Sequence, residues 1–127
     1  MKKKLTVLVE KTNSGFSAST EKYPVYTAGN TLDEILLNIV ESMNLYLKHL
    51  KKPLISVNDV ELKLQLDSFF AYYKVINVKA LSIRIGMNQT LLSQYIKGRK
   101  SPSTKQRQRI LDGVHKVARE LLEVKMI

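Results

Sequence analysis

Leu5, Val7 and Val9 alternate with Thr6, Leu8 and Glu10, and beyond Asn13-Ser14-Gly15 the residues Phe16, Ala18 and Thr20 alternate again. Period-two patterning on both sides of a turn-forming tripeptide predicts a β-hairpin. A third short strand is predicted at Val25-Tyr26-Thr27-Ala28, ending at Gly29. The period then lengthens: Leu32, Ile35, Leu36, Ile39, Val40, Met43, Tyr46, Leu47 and Leu50 trace one broad stripe. Such spacing predicts an amphipathic helix of about five turns, and Thr31 with Glu34 has the spacing of a capping box at its start. Lys48 to Asp59 reads as a basic loop around Pro53. After it, Val60, Leu62, Leu64 and Leu66 alternate with Glu61, Lys63, Gln65 and Asp67, predicting a fourth strand with one wet face.

From there on the apolar positions keep helical spacing. Phe69, Phe70, Tyr72, Tyr73 and Ile76 suit a first helix, where aromatics serve as core, with Tyr72 or Tyr73 at the surface. Asn77 can cap a second helix whose inward positions are Val78, Leu81 and Ile85, and Gly86 supplies the positive-φ residue that ends it. Gly86-Met87-Asn88 is a short turn, and Asn88 caps a third helix with Leu91, Leu92 and Tyr95 or Ile96 inward, closed by Gly98. The last helix, capped by Ser101 or Ser103 with Pro102 near its first turn, carries Ile110, Leu111, Val114, Val117, Ala118, Leu121 and Leu122. That stripe closes the bundle, and its far end offers a dimer contact. The fold class is therefore α+β: a βββαβ domain over residues 1–66, followed by an all-α domain over residues 67–127.

The segment from Asn77 to Ser103 has the grammar of a helix-turn-helix. Its second helix shows Gln89, Thr90, Ser93, Gln94 and Lys97 outward, where a merely solvated face would be dominated by Glu and Lys. Amides and hydroxyls suit base edges, because Gln can bond adenine through two hydrogen bonds and Ser or Thr can meet any base. Gln89, Thr90, Ser93 and Gln94 are thus the candidate base-contacting residues. Arg99, Lys100 and Lys105 follow where phosphates would lie. Arg107 and Arg109 suit a solvated face at least as well as a phosphate contact.

Charge sharpens this placement. Of the net +10, residues 1–60 hold eight Lys/Arg against six Asp/Glu, while residues 61–127 hold thirteen against five. The surface for a polyanionic partner is mainly C-terminal. With no cysteine there is no disulfide framework or catalytic thiol, and a reducing cytosol is compatible. Lys2-Lys3-Lys4 precedes an apolar run of only Leu5 to Val9, interrupted by Thr6 and stopped by Glu10, so neither a signal peptide nor a membrane span is expected. Membrane lipid and RNA are alternative anionic partners, but neither predicts the glycine-delimited helix pair.

At Gly86, Asn88-Gln89, Leu92 and the segment from Gly98 to Pro102-Ser103, the chain resembles the repressor-like (Xre/Cro type) helix-turn-helix family. That resemblance implies that Gln89, Thr90 and Gln94 face the major groove, with Asn88, Lys97 and Arg99 near the phosphates. Ser82 replaces the alanine usual beside the turn, and Val78 a glutamine that often grips phosphate.

The hairpin through Asn13, Ser14, Gly15 and Phe16, the run from Thr27 to Ile35, and Tyr46-Leu47 resemble the HicB family of type II antitoxins. The resemblance implies a truncated ribonuclease-H-like N-terminal sheet that binds a small HicA-like toxin, an mRNA ribonuclease. It further implies a C-terminal domain that represses the operon by binding its own promoter as double-stranded DNA, in a cytoplasmic homodimer or higher oligomer. The Glu21-to-Tyr26 loop departs from the family's usual proline- and glycine-containing loop, which lies at the toxin interface. An orphan regulator whose N-terminal domain dimerises or senses a ligand is the other reading of this architecture.

Catalysis is not expected. Two-metal phosphoryl transfer needs converging carboxylates. Glu10, Asp33, Glu34, Glu61 and Asp67 instead suit capping or solvated positions. His49 and His115 lack partners at ligand spacing, no nucleophile motif or phosphate-cradling loop is present, and neither metal nor cofactor is expected.

Overall fold

A computed structural model describes residues 4–127, so Lys2 and Lys3 of the basic start lie outside the described residues. The chain divides into two compact units, the first ending at Gln65 and the second beginning at Leu66.

In the first unit, β1 (Leu5–Lys11), β2 (Phe16–Thr20) and β3 (Tyr26–Gly29) precede α1 (Leu32–His49), a single 3₁₀ turn at Val57–Asp59, and β4 (Val60–Leu64). The strands lie in the order β3-β2-β1-β4. β1 with β2 and β2 with β3 are antiparallel, while β4 runs parallel to β1. A parallel neighbour requires a crossover, and α1 is that crossover. Register places Leu62, Val7 and Thr20 in one row and Leu64, Val9, Ala18 and Thr27 in the next. Onto this face α1 lowers Ile35, Ile39, Met43 and Leu47, all at least 96% buried.

Local chemistry at the ends of α1 departs from the simple pattern. Thr31 Oγ1 accepts from the Glu34 N–H at 3.1 Å. The return bond of the expected capping box is displaced, because the Glu34 carboxylate accepts from Asn30 N at 2.5 Å instead of from Thr31. At the other end α1 runs into the predicted loop. It closes through Lys51 N to Lys48 O and Lys52 N to Leu47 O, with Lys51 at φ 57°. This is the glycine position of a helix-ending turn, and a side chain there costs about 1 kcal/mol.

The second unit holds α2 (Leu66–Tyr72), α3 (Val78–Ile85), α4 (Gln89–Ile96) and α5 (Thr104–Glu123). Leu66 therefore opens a helix, and the fourth strand stops at Leu64. The alternation through Leu66 is overridden by packing, since Leu66 and Phe69 sit against the cluster of Phe70, Leu81, Met87, Leu92, Tyr95 and Ile110. Tyr73 and Ile76 fall just past α2, where Ile76 N donates to Tyr73 O at 3.1 Å. Of the two flanking tyrosines, Tyr72 is the exposed one.

The outer half of α5 is the larger correction. Ile110 is buried and Val114 packs on the same cluster, but Leu121 and Leu122 are 72% and 85% exposed and close nothing. Length explains this: twenty residues of helix rise about 30 Å, against about 12 Å for an eight-residue helix such as α3. α5 overruns its support.

Where α5 does touch α3, the approach is close enough to need a missing side chain. A Cβ on Gly113 would lie 2.2 Å from Ile85 Cγ2. Ile85 is β-branched and cannot easily turn aside. Replacing a helical glycine by alanine normally gains about 1 kcal/mol, but overpacking costs about 1–3 kcal/mol. Gly113→Ala is expected to lower the unfolding free energy of the full chain by up to about 2 kcal/mol, read from its denaturant midpoint. A rise would mean that α3 and α5 are not held this close.

Candidate nucleic-acid interface

Two glycines and two asparagines set the position of α4. Gly86 and Gly98 adopt φ 65° and 73°, the left-handed region that favours glycine, so α3 and α4 each end abruptly. Asn77 Oδ1 accepts from Ala80 N at 3.0 Å to start α3, and Asn88 Oδ1 accepts from Leu91 N at 3.1 Å to start α4. Three residues, Gly86 to Asn88, make the turn between them. The central one, Met87, is buried in the core. Ser82, in the place where the resemblance expects alanine, is also buried, and its hydroxyl donates to Lys79 O at 2.6 Å. No polar group is stranded by that exchange.

α4 turns Leu92 and Tyr95 into the core, with Leu91 and Ile96 half-buried. The opposite side is a concavity of about 400 Å³ lined by Gln89, Thr90, Ser93, Gln94, Lys97 and Arg99. All four candidate base-contacting residues are thus brought to one surface, joined by two of the phosphate candidates. No carboxylate lines it. Asn88 stands at its edge as the helix cap, Lys100 follows Arg99 in the exposed turn after Gly98, and Lys105 is exposed in the first turn of α5. Those three remain outside the concavity.

Chemically, the face offers hydrogen-bond donors and acceptors at its centre and cations at its C-terminal rim. Tertiary structure shields none of the cations by pairing: among the described residues the ion pair is Arg84 with Glu120, at 2.6 Å, elsewhere on the unit.

Arg109 has a job that local sequence does not signal. Its Nη2 donates to Ile85 O at 2.7 Å and Gly86 O at 2.8 Å, closing the carbonyl end of α3. The partners are 24 and 23 residues away, so no periodic pattern marks the contact. Arg107 lies at 3.4 Å from Pro102 O, bracing the turn before α5. Of the arginines following α4, Arg99 alone lines the concavity.

The carboxylates of the chain are dispersed. Glu34 is held at Asn30, Asp59 accepts from Ser56 N at 2.9 Å, and Asp67 accepts from Ser68 N at 2.8 Å. Among the described residues no three His, Asp or Glu side chains come together as a metal-ligand set, and no helix is long and apolar enough to cross a membrane.

No model of a known protein family matches the chain. No curated protein matches it significantly in sequence.

The two kinds of arginine separate in a stability measurement. Arg109→Ala is expected to lower unfolding free energy by about 1 kcal/mol through the lost charge-assisted bonds on an exposed side chain. Arg99→Ala should stay within about 0.5 kcal/mol of the parent. Equal thermal shifts for both would contradict these assignments.

Proposed function

We propose that the chain is the antitoxin of a type II pair, a sequence-specific DNA-binding autorepressor whose C-terminal unit reads its own promoter through α4. The observation that carries the DNA half is the acid-free concavity of Gln89, Thr90, Ser93 and Gln94 with Lys97 and Arg99 at its rim. Amides and hydroxyls read base edges, and cations fix the register on phosphates. In this reading α3, the Gly86-Asn88 turn and α4 form a repressor-like helix-turn-helix. Asn88, Lys100 and Lys105 lie along the backbone on either side of the groove.

Two copies would read a roughly palindromic site with half-sites about 34 Å apart, or a multiple of that. The pairing surface in this reading is the outer part of α5. There the apolar series Ile110, Val114, Val117 and Leu121 leaves the core at 4-3-4 spacing and continues into solvent. That is the seam spacing of paired helices.

The toxin half rests on the HicB resemblance, supported by the βββαβ order of the first unit and its one-sided helix. In this reading the first unit holds a small HicA-like mRNA ribonuclease and blocks its active site, in the cytoplasm and without catalysis, metal or cofactor of its own.

Gln89→Ala or Gln94→Ala is expected to cost about 1–3 kcal/mol of discrimination between operator and unrelated DNA. Arg99→Ala should weaken every sequence and reduce the salt slope by about one unit. Titration of promoter fragments at several salt concentrations tests this, and indifference to all three changes rejects the docking. In growth assays, the full chain should rescue cells expressing a HicA-like toxin encoded beside it, and the Gln89→Ala/Gln94→Ala variant should rescue equally. A folded full chain that fails to rescue removes the toxin half and leaves a regulator without that partner.

A further inference from the structure

A second concavity, of about 430 Å³, lies wholly within the first unit, where the start of β1, the β2-β3 loop, the end of α1 and the loop before β4 come together. Its floor is apolar, built from Met43 and Leu47, buried on the inner face of α1, with Leu5 and Ile55 beside them. Tyr23 walls one side, its ring meeting Tyr46 edge-on at 5.8 Å.

Positive charge converges on that wall. Lys22 Nζ and Lys52 Nζ stand 5.6 and 5.8 Å from the same Tyr23 ring centroid, although they come from loops on opposite sides of α1 in the sequence. Lys4 adds a third ammonium group to the lining. Of the two carboxylates there, Asp59 already accepts from Ser56 N and Ser56 Oγ. Glu21 is the other. Three ammonium groups against two carboxylates leave the lining with a net positive charge, concentrated at the Tyr23 wall where Lys22 and Lys52 meet.

The walls are also held in place. Thr20 Oγ1 donates to Tyr23 O at 2.6 Å and accepts from Tyr23 N at 3.2 Å, fixing the loop that carries Lys22. Asn44, on α1, donates to Ile55 O at 3.0 Å and accepts from Ile55 N at 2.8 Å, fixing the loop that carries Lys52. The left-handed turn at Lys51 redirects the chain so that Lys52 faces Tyr23. Strain retained beside a preformed hollow, with both lips pinned by side-chain bonds, is the pattern of a binding site.

We propose that this cavity binds a small organic anion, a carboxylate or phosphate head meeting Lys22 and Lys52 and an aliphatic or aromatic body lying on Leu5, Tyr23 and Ile55, above the buried Met43 and Leu47. Its volume is within the roughly 300–1,000 Å³ of ligand pockets, and a buried apolar floor with a few convergent polar groups is how such pockets are made. An acidic side chain from a partner protein would meet the same ammonium groups but leave the floor unfilled. The inference is independent of the DNA and toxin readings.

The test is amide NMR titration of the full chain with four probes: sodium octanoate, phenyl phosphate, inorganic phosphate and octanol. Octanoate or phenyl phosphate should give saturable shifts confined to Tyr23, Met43, Leu47, Lys52 and their neighbours, with inorganic phosphate and octanol at least tenfold weaker. The Lys22→Gln/Lys52→Gln variant, its spectrum otherwise preserved, should bind at least tenfold more weakly. Absence of saturable shifts overturns the proposal, as do shifts elsewhere or octanol matching octanoate. Inorganic phosphate matching both organic anions would also overturn it, by pointing to charge alone and an acidic protein surface.

Discussion

The presentation of α4 depends on how the carbonyl end of α3 is closed. A helix leaves its last carbonyls without partners inside the helix, and at a tight corner they must be satisfied quickly. Here three devices act within a few residues. Gly86 turns left-handed, Met87 N reaches back to Ser82 O at 2.9 Å, and Arg109 supplies two further donors from α5. Met87 then enters the core and Asn88 starts the next helix. The angle at which the amide face is offered is set there, outside the concavity itself.

α5 is the other half of that corner. It brings Arg109 to the α3 carbonyls, Ile110 to the core and Gly113 to Ile85 within about one turn. Bond, burial and close approach depend on the same helix position. A change at Gly113 therefore reaches α4 through the cap as well as through packing. In the first unit the corresponding constraint is the register of β1, shared by β2 on one side and β4 on the other. A slip by one residue would put Thr6 and Leu8 toward α1 and Val7 and Val9 into water.

Much of this was legible in the chain because short-range rules dominate at the places concerned. Thr31, Asn77, Asn88 and Ser103 are each followed by the apolar spacing of a helix, and each accepts from the N–H three residues on. The outward face of α4 follows from its period alone. What escaped was set by distance in the sequence. Leu66 continued a strand pattern until packing against the second unit's core claimed it. Arg109 looked like a surface cation because its acceptors lie across a bundle, and Leu121 and Leu122 looked like core because periodicity records a face without recording what it meets. The cavity around Tyr23 joins segments from residue 4 to residue 59 and has no signature in any one of them.

α5 is a single rod from Thr104 to Glu123, but its core packing ends with Ile110 and Val114, and beyond them the exposed Arg84–Glu120 pair is its tie to α3, worth about 0–1 kcal/mol. Helices gain most of their stability from tertiary burial, so an unsupported end frays with an opening free energy far below that of the whole unit. Amide protection should fall along this one helix, from Ile110, locked at the level of global unfolding, to Leu121 and Leu122, which open nearly as freely as an isolated peptide. The same rod then records its own occupancy, since anything that covers the outer stripe would carry slow exchange outward turn by turn.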